Sequence, residues 1–154
     1  EYILEIRRNN SRQSAAKLHG NVIRLSFAEG MDEAEACRHA EYLIGRCIAK
    51  KRHPEITALV QELNDKHFQK EIKSVRLKNN SSNWGSCSKT GNINLSTRLL
   101  LAPRDVLEYV IVHELAHLAE MNHSPKFWAL VEQAVPDYKK KRQWLNKHGE
   151  ELSF

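Results

Sequence analysis

A chain of 154 residues, 41% of them hydrophobic, is long enough to bury a core of its own, and 24 Lys and Arg against 19 Asp and Glu leave a formal net charge of +5. The longest apolar stretch is short and interrupted by His and Glu, which argues against a membrane span, and no stretch reads as a signal peptide. Three cysteines, Cys37, Cys47 and Cys87, are odd in number and form no Cys-x-x-Cys pair, so free thiols and a cytoplasmic location are expected.

The chain opens on Glu1 rather than methionine, which reads as a trimmed segment. Tyr2, Leu4 and Ile6 fall on one side of an alternating run, and Ile23, Leu25 and Phe27 alternate against Arg24 and Ser26; both predict strands. His19-Gly20-Asn21 between them has turn chemistry, so residues 1–30 are expected to form a small antiparallel β lobe. Asp32 suits the cap of a helix whose apolar positions run from Ala36 to Ile48 and which ends in Lys50-Lys51-Arg52. Pro54 fits the first turn of a second helix carrying Ile56, Leu59, Val60 and Leu63, making a helical pair over residues 31–70. From Val75 the period changes to two. Val75-Arg76-Leu77, the region around Trp84 and Ile93-Asn94-Leu95 predict strands, with Ser88-Lys89-Thr90-Gly91 as a hairpin turn.

The apolar run from Val106 to Ala119 contains His113-Glu114-Leu115-Ala116-His117, with His123 six residues further on. Residues four apart share one face of a helix, so His113 and His117 can present two imidazole nitrogens to a single ion. Zinc accepts that arrangement, and a catalytic zinc takes three protein ligands and lowers the pKa of its water to about 7. Glu114 stands where the general base of a zincin stands. Two imidazoles and a carboxylate on an apolar helix would be costly to bury without a metal or hydrogen-bond partners. His123 is the favoured third ligand; Glu120, on the face of His113 and His117, is the competitor or a group that orients His117. The His-x5-His spacing matches the metzincins, but Glu120 stands where they place glycine and no methionine follows Met121, so a Met-turn is impossible. The chain is expected to turn at Met121-Asn122, before Pro125. Ser124-Pro125 then opens a helix carrying Phe127, Leu130 and Val131, whose aromatic end packs against the metal helix, and Asp137 caps a last helix from about Tyr138 to Lys147. An edge strand beside the metal can pair with a peptide backbone, and Gly91 to Ser96 or the Trp84 segment is the candidate. Tyr138, Arg142, His148 and Arg98 carry donors suited to an oxyanion, and nothing local ranks them.

The segments Asn83-Trp84-Gly85-Ser86-Cys87-Ser88, Gly91-Asn92-Ile93-Asn94-Leu95, Leu100-Leu101-Ala102-Pro103, His113-Glu114-Leu115-Ala116-His117 and Asn122-His123-Ser124-Pro125-Lys126-Phe127-Trp128 together resemble the YgjP-like metallopeptidases, relatives of the SprT-like zinc proteases. The resemblance covers nearly the whole chain. It implies one α+β, zincin-like metallopeptidase domain over residues 1–154, with small antiparallel sheets, a buried HExxH helix, and the zinc-binding catalytic part in residues 71–154. It implies zinc as cofactor, His113, His117 and His123 as ligands, and Glu114 as catalytic acid/base. Trp84, Gly85, Asn92 and Asn94 are the expected substrate-binding residues. The chain departs from the family pattern at Asn83, where the family usually has arginine.

The expected substrate is a peptide or protein. Basic clusters at 50–52 and 139–142 can also attract a phosphate backbone, and SprT-like relatives act on proteins attached to DNA, so nucleic acid is a second partner class. The competing functional reading is a zinc-containing binding module with little or no hydrolysis. Glu114 weighs against it, since a structural zinc site needs no such carboxylate.

Overall fold

The computed structural model describes residues 2–8 and 13–154, so Glu1 and residues 9–12 of the expected N-terminal lobe lie outside the described residues. The chain divides into two compact units, residues 1–52 with Phe154, and residues 53–153.

In the first unit β1 (Ile3–Arg8), β2 (Ala15–His19) and β3 (Val22–Phe27) form a sheet in the order β1-β3-β2. The Gly20-Asn21 turn, with Gly20 at φ +61, joins β2 to β3 in an antiparallel hairpin. Strand β1 instead runs parallel to β3, pairing Ile3 with Val22 through Arg8 with Phe27. The expected antiparallel lobe is therefore a mixed sheet, because the strand entering the turn is Ala15–His19 and not the Tyr2 run. Ile23 and Leu25 are its buried side chains.

Helix α1 (Glu33–His67) runs uninterrupted for 35 residues, which corrects the expected helical pair. Asp32 caps it as expected, its Oδ1 accepting from the Glu35 N–H at 2.8 Å. Pro54 lies inside it, on an exposed stretch where the backbone carbonyl it leaves without a partner meets water. Ile56, Leu59 and Val60, beyond that point, are buried.

The second unit repeats the strand arrangement of the first. β4 (Ser74–Lys78), β5 (Gly85–Cys87) and β6 (Asn92–Ser96) order as β4-β6-β5, with β4 parallel and β5 antiparallel to β6. Gly91, at φ +81, closes the β5–β6 turn, its N–H donating to the Ser88 carbonyl at 3.0 Å. A single-turn 3-10 segment (Thr97–Leu101) leads to α2 (Arg104–Ala116), then α3 (Pro125–Ala134) and α4 (Tyr138–His148). Helix α2 is the centre of this unit and packs against α3, α4, β5 and β6. Ile111, Val112 and Leu115 on it are fully buried, and Ile93 and Leu95 of β6 close the core from the sheet. Ser124 caps α3 by accepting from the Phe127 N–H, with Pro125 in the first turn. Asp137 precedes α4 but makes no cap hydrogen bond, its carboxylate reaching Lys141 at 3.1 Å instead. Among the described residues no helix is long and apolar enough to cross a membrane.

Candidate active site

Helix α2 ends earlier than its apolar run suggests. From His117 to Ala119 the backbone N–H groups bond three residues back instead of four, so the chain tightens at His117, before the expected turn at Met121-Asn122. This brings His123 back over the end of the helix. The ligand atoms of His113, His117 and His123 all lie within 4.8 Å of one another, and Nε2 of His123 is 3.1 Å from Nε2 of His113. The Glu120 carboxylate takes no part in this cluster; its backbone carbonyl lies 3.3 Å from Nδ1 of His117. A carbonyl on Nδ1 fixes the proton there and leaves Nε2 its lone pair.

Phe127, fully buried at the start of α3, lies under all three imidazoles, with ring centroids 4.9, 4.6 and 4.7 Å from those of His113, His117 and His123. Trp128 flanks them, stacked at 5.7 Å on His123 and at 5.3 Å on Tyr138. The aromatic end of α3 thus fixes the orientation of the histidines.

Burial, then the neighbouring His117, His123 and Arg142, hold His113 near a pKa of about 3, so it is a neutral imidazole with a free lone pair. Its Nδ1 is buried without a hydrogen-bond partner. Three imidazole nitrogens converging in this way, with a carboxylate alongside, are a donor set that zinc accepts. The residues fit a metal.

Glu114 is 5% exposed, and burial raises its carboxyl to about 8. The space for that carboxylate is made by Gly85 at the start of β5, where a Cβ would lie 2.6 Å from Oε1 of Glu114. Trp84, one residue earlier, is held by Arg98, whose guanidinium lies 4.4 Å from its ring centroid and donates to the carbonyls of Ser81, Gly149 and Leu152. A cavity of about 350 Å³ opens here, bounded by Trp84 and Gly85, by His113 and Glu114, and by Arg142 and Asn146 of α4.

Of the sequence-derived substrate residues, Trp84 and Gly85 border this cavity and Asn92 and Asn94 do not. Strand β6 is the central strand, paired on both sides, and its asparagine side chains are engaged locally, Asn92 with Ser74, Ser88 and Thr90 and Asn94 with Ser86. The strand edge beside Glu114 belongs to β5. Among the four oxyanion candidates the structure separates Arg142, which borders the cavity, from Arg98, committed to backbone carbonyls, from Tyr138, buried in an aromatic stack, and from His148, paired with Glu151 at 3.2 Å. Cys87 carries a thiol raised to about 11 by burial and by Glu114, and it stands outside the histidine cluster.

Fold and site together define a zincin-like metallopeptidase. The chain belongs to the YgjP-like family, whose metallopeptidase domain model matches residues 1–148. Among solved structures, the chain is similar to the metallopeptidase zymogen abylysin of Pyrococcus abyssi, at 26% identity and TM-score 0.54 over 60% of this chain and 93% of that one. It also shares its fold with the metallopeptidase zymogen jannalysin of Methanocaldococcus jannaschii, at 21% identity and TM-score 0.52 over 60% of this chain and 94% of that one. No curated protein matches the chain. The protein is a metallopeptidase, and its substrates are peptides or proteins.

Proposed function

We propose that the protein hydrolyses peptide bonds as a zinc enzyme, with His113, His117 and His123 holding the metal and Glu114 moving the proton. The observation that carries this reading is the convergence of three imidazole ligand atoms within 4.8 Å beside a buried carboxylate. Zinc bound there would supply Lewis-acid polarisation of the scissile carbonyl, lower the pKa of the attacking water to about 7 and favour the ionised form of Glu114. Glu114 accepts the proton of that water on its carboxylate and returns it to the leaving amine. Gly85 lets the carboxylate lie against β5, and the free edge of β5 can hold the substrate backbone as an added strand beside it. Phe127 and Trp128 keep the imidazoles in place.

The three cysteines are unbridged, which supports a cytoplasmic location. Nucleic acid is the weaker partner reading, since within the basic run of α4 Lys141 is occupied by Asp105 and Asp137. A binding module without hydrolysis gives no reason to bury Glu114 against a glycine.

The test is turnover of a mixed peptide library by zinc-loaded protein, with Glu114→Gln alongside. The proposal expects cleavage in the parent, a loss of about 100-fold or more in Glu114→Gln, and equal zinc in both. Undiminished cleavage in Glu114→Gln would remove Glu114 from the mechanism.

A further inference from the structure

The wall of the cavity opposite the strand edge belongs to α4. Val110 and Leu145 give its floor apolar surface beside the buried Tyr109 and Glu114, its rim carries the amides of Asn83 and Asn146, and Arg142 stands at its exposed mouth. Two of the other cations of this helix turn are engaged. Lys141 pairs with Asp105 and Asp137, and Lys139 lies 5.8 Å from the ring centroid of Tyr138. Arg142 has no carboxylate partner among the described residues; its guanidinium rests over Trp128, 5.4 Å from the ring centroid. Contact through the guanidinium face leaves the N–H donors in its plane free. Trp128 is itself clamped by its stacking on Tyr138 and His123, so the cation is held in position before any ligand arrives.

Resting on the peptidase reading, we infer that Arg142 is a substrate-anchoring residue that receives a carboxylate of the peptide, either an acidic side chain or a free C-terminus, in the cavity beside Glu114. A planar carboxylate matches the guanidinium fork through two parallel N–H bonds, which a neutral amide cannot make. The apolar surface of Val110 and Leu145 below a charged mouth suits a residue with an aliphatic or aromatic stem and a terminal carboxylate. Among the described residues lining this cavity, Arg142 is the one Lys or Arg.

The test is equilibrium calorimetry on zinc-loaded protein with four probes: acetyl-leucyl-phenylalanine and its C-terminal amide, and acetyl-leucyl-glutamate amide and its glutamine counterpart. In the parent, at least one acid binds about tenfold more tightly than its neutral twin. Preference within the first pair identifies a C-terminal carboxylate as the ligand, and within the second an acidic side chain. In Arg142→Gln that preference disappears while the neutral probes bind unchanged, which also shows that the variant is folded; Arg142→Lys restores part of it. Three results would overturn the anchor: no acid preference in the parent, no binding of either acid up to about 10 mM, or a preference that persists in Arg142→Gln, as it would if the metal alone held the carboxylate. Binding needs no turnover, so a protein that binds acids through Arg142 yet cleaves nothing fails the peptidase reading only, and cleavage with no acid preference fails the anchor only.

Discussion

The two sheets of this protein share a strand order, a pairing pattern and much of a central strand. Ile23, Leu25 and Ser26 of β3 correspond in register to Ile93, Leu95 and Ser96 of β6, and each central strand pairs parallel with one neighbour and antiparallel with the other. They differ in what covers the first strand. Leu4, opposite Ile23, is 48% exposed, whereas Val75, opposite Ile93, is 9% exposed. They differ again at the edge, where β5 places a glycine against a buried carboxylate and β2 has nothing comparable. Topology alone therefore does not make the site. Chemistry enters where a sheet edge meets a helix bearing ionisable groups, and there Gly85 is constrained by Glu114.

Substitutions can widen or erase that difference. The largest effect is expected from Phe127→Ala, which removes the ring beneath three imidazoles and should cost about 3–5 kcal/mol in denaturant unfolding, with weaker zinc retention. Ile93→Ala in β6 should follow at about 2–4 kcal/mol. Cys87 and Cys37 offer a chemical comparison: with its thiol raised to about 11, Cys87 should react with iodoacetamide at pH 7.5 roughly a hundredfold more slowly than exposed Cys37, as mass spectrometry can follow. Its rate should climb about tenfold per pH unit up to that value, because only the thiolate attacks. Gly85→Ala should lower kcat/KM about tenfold with zinc content unchanged, since the added methyl displaces Glu114 and not the histidines. The smallest effect belongs to the open sheet, where Leu4→Ala should cost less than about 1 kcal/mol. A Leu4→Ala loss equal to that of Ile93→Ala would mean that the two sheets are equally covered.

Local spacing made the metal helix legible. His113 and His117 are one helical turn apart, and helices α3 and α4 begin where Ser124-Pro125 and Asp137 placed them. What escaped depends on partners distant in the chain. Nothing in Tyr2 to Arg7 says that the strand runs parallel to β3, because the intervening Ala15–His19 takes the hairpin position. Pro54 punctuates a helix in isolation, but α1 runs on past it to the buried Ile56 and Val60. Asn92 and Asn94 looked like substrate contacts while β6 could still be an edge; as the central strand its backbone is already paired. Arg142 was one of four equal donors until residues from β5, α2 and α4 met around one cavity. One signal for it lay in the sequence, the helical spacing of Arg142 and Asn146.

The central claim, that His113, His117 and His123 hold one metal beside Glu114, is tested most directly by zinc analysis of dialysed parent, His123→Ala and Glu120→Ala proteins. The account predicts about one equivalent of zinc in the parent and in Glu120→Ala and near none in His123→Ala. A metal-free parent, or zinc that survives His123→Ala and is lost in Glu120→Ala, would contradict it.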